Sequence, residues 1–228
     1  MAKRQKKESF VNEVQSSAAF HIQPKNSTQQ YLLDCIRDNT MTVVVGPAGT
    51  GKTFCTGMKV AQLFLKGGFE KIILSRPNIA TGKSLGYFPG TVEEKMEPWL
   101  KPIMTVLEEG FGKGRYGYLH DKGAIQIQPI ETIRGQSFLD SLIIVDEAQN
   151  LSMAELKAIT TRVGENSKLI LLGDPAQSDM NKGDDLNRFV DLCHSHNIAI
   201  PIIRFGLKDI VRSDIVAELC KMFFKEKI

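Results

Sequence analysis

Eight consecutive residues of the chain have the types and the spacing that bind nucleotide phosphates. Residues 46–53 read Gly-Pro-Ala-Gly-Thr-Gly-Lys-Thr and match G-x-x-x-x-G-K-[ST] at every position. Glycines let the backbone turn tightly, so that several N–H groups point inward at phosphate oxygens. Lys52 is expected to reach the β- and γ-phosphates, and the Thr53 hydroxyl is expected to bind Mg²⁺. The predicted nucleotide-binding residues are Gly46, Pro47, Ala48, Gly49, Thr50, Gly51, Lys52 and Thr53, together with the adjacent Phe54.

A pair of carboxylates follows an apolar segment further along the chain. Residues 142–145 are Leu-Ile-Ile-Val, and Asp146 and Glu147 come directly after them. Asp146 is expected to hold Mg²⁺, directly or through water, and Glu147 to orient and deprotonate an attacking water. A glutamate directly after the aspartate suits hydrolysis better than phosphate transfer to a small molecule. Together with the phosphate loop, the pair therefore favours an ATP- and Mg²⁺-dependent hydrolase.

A third polar cluster ends another apolar segment. Residues 171–177 read Leu-Leu-Gly-Asp-Pro-Ala-Gln, so a tight turn presents Asp174 and Gln177. If this strand lies between the two phosphate-binding strands, Gln177 comes close to the γ-phosphate. There its amide can hydrogen-bond both the phosphate and the water. The alternative interpretation is an Asp-Pro turn without a catalytic role.

These residues need a scaffold that brings the ends of several strands together. Short apolar runs predict strands at 41–45, 71–74, 124–130, 142–145, 168–172 and 198–203. Other segments predict helices from Thr28, over 52–66, over 91–109, from a capping box at Ser152 and over 209–224. This alternation is typical of a doubly wound, mostly parallel α/β sheet with helices on both faces. We therefore expect one domain over residues 27–228, with a loop-and-helix insertion at about 77–123 near the ligand-binding edge.

Composition narrows the function classes further. The 228 residues are 42% hydrophobic and 24% charged, as in ordinary globular domains. The net charge of +3 comes from the first residues, so 1–26 is predicted to be a flexible basic arm, with phosphate contacts as the alternative. No apolar run approaches the roughly 20 residues that span a bilayer, so no membrane partner is expected. Four cysteines without C-x-x-C spacing favour a reducing, cytoplasmic setting.

The motifs together resemble the PhoH family, which are phosphate-starvation-type P-loop ATPases. The core of that family is similar to one RecA-like lobe of superfamily 1 helicases. The similarity covers about residues 25–220, and its Arg-Pro and Leu-Gly-x-x-Pro-Gly elements are specific to the family. The chain looks like a short, phage-type member of the family, which implies that it is located in the cytoplasm of a host cell. Beyond the phosphate loop, the resemblance is carried by residues 75–77, 85–90, 133–135, 145–150 and 173–177.

The resemblance implies further site residues. Gln29, seventeen positions before Gly46, matches a family glutamine similar to the adenine-reading glutamine of helicases, with Gln30 as the alternative. A side-chain amide can bond both N6 and N7 of adenine. Arg76 and Arg134 are implied to contact a nucleic-acid backbone or a neighbouring subunit. For each, the alternative is a surface ion pair.

Two arginines near the C-terminus are candidates for stabilising the γ-phosphate in the transition state. Arg212 matches a family arginine, and Arg204 ends the last predicted strand. Such an arginine can raise turnover roughly a thousandfold or more. A single RecA-like lobe lacks the second lobe that normally completes an ATP site. The resemblance therefore implies a homo-oligomer, a hexameric ring with ATP at the subunit interfaces.

The family likeness also implies a link to RNA or single-stranded nucleic acid. Two other functions fit the same motifs: a nucleotide-gated RNA-binding ring with little turnover, and a small-molecule kinase. The Asp-Glu pair and the Gly-Asp-Pro-x-Gln motif count against the kinase. Trp99, the only tryptophan, is interpreted as a helix anchor, with base stacking as the alternative. Phe223 and Phe224 are candidates for docking on another subunit.

Overall fold

A computed structural model of the chain describes residues 20–77, 92–133, 136–174 and 185–226. In this part the strands are β1 (Met41–Val45), β2 (Lys71–Ser75), β3 (Ile125–Ile127), β4 (Ser141–Val145), β5 (Lys168–Gly173) and β6 (Ile202–Arg204). The helices are α1 (Ser27–Asp38), α2 (Lys52–Leu65), α3 (Val92–Phe111), α4 (Lys113–Asp121), α5 (Met153–Thr160), α6 (Asp185–Ser195) and α7 (Asp214–Glu226). Short 3₁₀ turns follow β3, β4 and β6.

The described strands form one sheet in the order β3-β2-β4-β5-β1-β6, and every pairing between them is parallel. Parallel strands are covered by helices on both faces, which explains their continuous apolar sequences. In β4 the side chains alternate between two cores: Leu142 and Ile144 belong to one, and Ile143 and Val145 to the other. The predicted doubly wound α/β architecture is therefore confirmed.

Two helical layers enclose the sheet. Helices α1 to α4 cover one face, where α3 contributes the buried Leu100, Ile103 and Leu107. Helices α5 and α6 cover the other face through Leu156, Ile159, Leu186 and Val190. The helix of the predicted insertion is thus part of a layer that covers the sheet, because its apolar stripe packs against α2. Residues 78–91 of that predicted insertion lie outside the described part.

Several boundaries differ from the sequence-based expectation. The strand expected at 124–130 is limited to β3, because a 3₁₀ turn begins at Ile130. The strand expected at 198–203 shortens to β6, and the last helix begins at Asp214, after a separate 3₁₀ turn at Leu207–Asp209. Ser152 caps α5 in the expected capping box with Glu155, whose carboxylate accepts the N–H of Ser152.

The described structure also begins earlier than the predicted domain boundary at residue 27. Ile22 is only 7% exposed and belongs to the core, and the partly buried Phe20 packs against the same core. Residues 20–26 therefore join the folded domain, although their polar composition had placed them in the flexible arm. Within the described residues, every helix is too short or too polar to cross a bilayer.

Candidate active site

The register of the sheet brings the polar segments to one edge. Val45 lies beside Gly173 on one side and Arg204 on the other, and Val145 lies beside Leu171 and Ser75. The residues that follow these positions therefore leave the sheet together at its carboxyl edge. Because β5 lies between β1 and β4, the condition on which the predicted role of Gln177 depends is met.

The phosphate loop has a conformation that side chains other than glycine would disturb. Gly46 has φ of 145°, and a Cβ there would come within 2.6 Å of both the Cβ and the carbonyl oxygen of Phe205. Gly49 and Gly51 have φ of 83° and 85°, in the left-handed region. Gly51 is the N-cap residue directly before α2 and has no side chain that could cap the helix. The first N–H groups of α2 are thus left for an anion, and this cradle fits nucleotide phosphates.

Lys52 holds its ammonium inside the curve of the loop. Its Nζ donates hydrogen bonds to the carbonyl oxygens of Gly46 and Pro47, the latter at 2.8 Å. Burial lowers the pKa of Lys52, while the carboxylates of Asp174, Asp146 and Glu147 act in the opposite direction and raise it. These carboxylates are therefore close enough to influence the charge that would hold the phosphates.

The segment after β6 supports the loop from one side. The Val211 N–H donates to the carbonyl of Gly49 at 2.9 Å. The buried carboxylate of Asp209 accepts hydrogen bonds from Thr28 Oγ1 at 3.0 Å and from the Gly206 N–H at 2.8 Å. Residues distant in sequence thus fix the loop before any ligand arrives, which lowers the entropy cost of binding.

The residues predicted to bind Mg²⁺ offer a suitable donor set. Thr53 lies in the first turn of α2, and Asp146 follows β4 at the same edge of the sheet. A hydroxyl and a carboxylate are the hard oxygen ligands that Mg²⁺ prefers. Burial raises the pKa of Asp146, and the neighbouring Glu147 raises it further. The Glu147 N–H, Arg76 and Lys52 all oppose this rise. A Mg²⁺ ion bound at Asp146 would further relieve the cost of this buried carboxylate.

Removing the charge of Asp146 should stabilise the ligand-free protein in a pH-dependent way. Its folded-state pKa lies above the unfolded value, so the ionised carboxylate costs stability above the folded pKa. That cost disappears as the pH falls and the proton binds. Asp146→Asn should therefore raise the melting temperature at alkaline pH, and this gain should shrink towards acidic pH. Thermal melts across pH test this, with Asn at the exposed Asp191 as the control. A gain that is equal at every pH would contradict the account.

Glu147 is held at both carboxylate oxygens. It adopts a left-handed backbone conformation with φ of 55°. Its Oε2 accepts a hydrogen bond from Gln149 Nε2 at 2.5 Å, and its Oε1 lies 3.7 Å from Nη2 of Arg76. Its side chain is 31% exposed, so a water molecule can reach it. A partly exposed carboxylate in a fixed orientation is suited to act as a general base.

Gln149 is a site residue that the sequence analysis did not assign. It is 2% exposed. Its amide joins two segments: Nε2 binds Glu147, and Oε1 accepts the backbone N–H of Asp174 at 3.0 Å. A glutamine two residues after the glutamate of a strand-ending Asp-Glu pair was the available signal. Its partner Asp174, directly after β5, could be identified only from the tertiary structure.

Gln149→Met should lower phosphate release more than it weakens ATP binding. Methionine fills a similar volume but neither orients Glu147 nor accepts the Asp174 N–H, which costs about 1–3 kcal/mol for a buried unpaired group. We expect kcat to fall by roughly one order of magnitude with little change in KM, because the general base loses its orientation. The control is Gln136→Met at an exposed position, which should leave kcat and KM unchanged. An equal loss of ATP affinity and kcat would indicate a purely structural role.

Gln29 supports the phosphate loop in this structure. It is 3% exposed, its Nε2 donates to the carbonyl of Thr50 at 2.9 Å, and its Oε1 accepts the N–H of Lys25 at 2.8 Å. Both ends of the amide are therefore bound to the protein itself. Gln30 is exposed and bonds Asp34. Adenine recognition by either glutamine stays a prediction, whereas the contact between Gln29 and the loop is a finding that the sequence did not indicate.

The remaining candidates occupy different positions. Phe54 is 41% exposed at the start of α2. The exposed Arg212 lies over the loop of its own chain, since a Cβ on Gly49 would be 3.0 Å from its Cγ. Arg204 is exposed at the end of β6 and lines a shallow cleft with Thr28 and Tyr31. Gln177 and Arg134 lie outside the described residues, so their predicted roles stay predictions.

The fold and the site define a class. A glycine-rich loop between a parallel strand and a helix, with an Asp-Glu pair on a nearby strand, is the arrangement of RecA-like P-loop ATPases. The family described as PhoH-like protein matches residues 21–224. The chain belongs to this family, as the motifs suggested.

Individual relatives support this assignment. A PhoH-like protein of Bacillus subtilis (strain 168) is 34% identical over 206 residues, which are 90% of this chain and 65% of that protein. Protein PhoH of Escherichia coli (strain K12) is 33% identical over 200 residues, 84% of this chain and 55% of that protein. Protein PhoH2 of Bacillus subtilis (strain 168) is 41% identical over 173 residues, 73% of this chain and 39% of that protein. The chain thus spans 39% to 65% of the length of these relatives.

A solved structure shares the fold. The large terminase from a thermophilic bacteriophage aligns with a TM-score of 0.56 and 13% sequence identity, over 86% of this chain and 50% of that one. At this identity the likeness concerns the fold. It supports the RecA-like arrangement of the sheet and the phosphate loop.

Proposed function

We propose that the chain hydrolyses ATP to ADP and phosphate with the help of Mg²⁺. The observation that carries this proposal is the position of Glu147, which is fixed at the same sheet edge as Lys52 and close enough to raise the pKa of that lysine. A phosphate-binding cation and a partly exposed carboxylate at one edge suit the attack of water on a bound phosphate.

In the proposed reaction each residue has a separate task. The loop N–H groups and Lys52 bind the phosphates and neutralise charge that develops on the leaving group. Glu147 accepts a proton from water while the water oxygen attacks the γ-phosphorus. The bond from that phosphorus to the β–γ bridging oxygen then breaks, and ADP leaves. Bound Mg²⁺ supplies further charge stabilisation on the phosphate oxygens, and Thr53 and Asp146 are the residues that would hold it.

The test is phosphate release from ATP with and without Mg²⁺, measured alone and with single-stranded RNA, single-stranded DNA or duplex. Mg²⁺-dependent release of free phosphate supports the proposal, and stimulation by a single strand supports the nucleic-acid partner. Tight ATP binding with negligible release would instead indicate a nucleotide-gated binding ring. Transfer of phosphate to a small molecule, in place of free phosphate, would indicate a kinase.

We further propose that the active form is a homo-oligomer, a hexameric ring with ATP at subunit interfaces. Support comes from α7, which follows Arg212 and carries an exposed apolar stripe: Ile215, Val216, Leu219, Met222 and Phe223, each at least 38% exposed. Apolar side chains at this helical spacing fit a protein interface. Arg212 lies over its own loop, so a neighbour would have to supply a different arginine, such as the exposed Arg204. Sedimentation that shows only fully active monomers would contradict the ring.

A further inference from the structure

One guanidinium connects the proposed general base to the tryptophan. Arg76 follows β2, which is the neighbour of β4 in the sheet. Its Nη2 lies 3.7 Å from Glu147 Oε1, and its Nη1 donates to the carbonyl oxygen of Trp99 at 3.2 Å. Its Cζ lies 5.3 Å from the centroid of the Trp99 ring, within the range of a cation–π contact.

The two ends of this connection differ in exposure. The Trp99 residue is 40% exposed on α3, whereas the Arg76 side chain is 19% exposed. The indole is therefore open to a ligand from solvent, and the guanidinium in contact with it is partly exposed. The exposed charges of this part of α3 are mixed, namely Lys95 and Lys101 with Glu93, Glu94 and Glu97. Binding at this surface would therefore depend on the specific pair rather than on a broad positive field.

The contact between Arg76 and Glu147 is weak enough for a ligand to break it. A separation of 3.7 Å is an ion pair and lies beyond the ordinary hydrogen-bond distance. A partly exposed pair of this kind is weak, so a better ligand for the guanidinium can displace the carboxylate. While the pair lasts, the guanidinium of Arg76 lies against Oε1 of Glu147 and Gln149 is hydrogen-bonded to Oε2, so the guanidinium competes with water for the oxygen that Gln149 leaves open. Arg76 therefore restrains the base in the ligand-free protein.

We propose that Arg76 and Trp99 together bind one nucleotide unit of a single-stranded nucleic acid and thereby release Glu147 for hydrolysis. The proposal deepens the proposed function and rests on it. A strand phosphate pairs with a guanidinium at two atoms and competes with the carboxylate. An unpaired base stacks on the exposed indole. Because duplex bases are already stacked on each other, a single strand is the form that this surface fits.

The binding step can be followed without ATP, because Trp99 is the only tryptophan in the chain. We expect single-stranded oligothymidylate to change the Trp99 emission saturably, with much less change from duplex DNA or from an abasic strand of equal length. If no strand changes the Trp99 emission, the proposal is wrong, and a protein partner becomes the occupant to test at this surface. An equal response to the abasic strand would overturn the stacking contact.

The release step needs phosphate-release measurements on variants. Arg76→Gln should raise basal release by roughly two- to fivefold, the size expected for a partly exposed ion pair, and should lose most of the stimulation by the strand. Arg76→Lys keeps the charge and should keep basal release low. Trp99→Leu should raise the half-stimulating strand concentration by about fivefold or more. Arg188→Gln, at an exposed position of α6, is the matched control and should leave basal release and its stimulation by the strand unchanged.

The outcome separates this proposal from the proposed function. Arg76→Gln with lower basal release than the parent, at an unchanged melting temperature and unchanged ATP binding, would overturn the restraint on Glu147. If the parent protein releases no phosphate, the proposed hydrolysis fails, while the Trp99 emission still decides whether the surface binds a strand. If a strand stimulates phosphate release but the Trp99 emission stays constant, the proposed hydrolysis is supported and the proposed binding of the strand by Arg76 and Trp99 is wrong.

Discussion

Lys52→Ala should abolish phosphate release, with a fall of roughly a hundredfold to a thousandfold or more. The Lys52 ammonium lies inside the loop on the carbonyls of Gly46 and Pro47, where the phosphates of a nucleotide would also lie. Alanine leaves the loop N–H groups in place but removes the charge that neutralises the β- and γ-phosphates. We therefore expect ATP affinity and turnover to fall together, measured by equilibrium ATP binding and by phosphate release.

The stability of Lys52→Ala distinguishes a lost contact from a lost fold. Burial lowers the pKa of Lys52, so folding disfavours its protonated form and the charge costs stability below the folded pKa. Removing the charge should leave the melting temperature of the ligand-free protein equal or higher. The matched control is Ala at Lys66, which is exposed directly after α2. A strongly reduced melting temperature for Lys52→Ala would mean that the lysine holds the loop together.

Glu147→Gln should keep ATP binding and lose phosphate release by about 10²- to 10⁴-fold, the usual contribution of a general base. The amide keeps the shape of the side chain, and its oxygen can still accept the hydrogen bond from Gln149. It has no basic oxygen to take a proton from water. Because the lost interaction arises only in the transition state, kcat should fall with little change in KM.

The matched control for this variant is Gln at the exposed Glu165, which should turn over normally. Glu147→Asp is a second check on geometry. Its shorter side chain keeps a carboxylate but withdraws it from Gln149, so partial activity is expected. Normal turnover of Glu147→Gln would mean that another group deprotonates the water, or that the substrate itself does so.

Much of the fold could be predicted because its signals are local. Four apolar residues before Asp146 define a buried strand, and the spacing of the glycines from 46 to 51 defines the loop conformation. The position of β5 between β1 and β4, by contrast, was not predicted from the motifs, because the strand order depends on pairings between segments that are distant in sequence. Ser152 and Glu155 predicted the start of α5, because the hydrogen bonds of a capping box form within four consecutive residues.

The missed features depend on contacts between distant segments. No local pattern indicates that the Gln149 amide binds the N–H of Asp174, or that Phe205 packs on Gly46. The same holds for Arg76, whose contacts with Glu147 and Trp99 join three separate elements. Strand ends were also misjudged at β3 and β6. Beyond β3 the buried Ile130 lies in a 3₁₀ turn, and before β6 the apolar Ile198 is 54% exposed outside the ladder, so apolar character alone did not define the strand ends.

We propose that this chain is an ATPase in which Glu147 activates the water. The most direct measurement compares phosphate release and ATP binding for the parent protein and Glu147→Gln on the same samples, in the presence of Mg²⁺. We expect equal ATP binding by the two proteins and a loss of phosphate release by at least about a hundredfold in the variant. Equal release from the two proteins, or no release from the parent at saturating ATP, would contradict it.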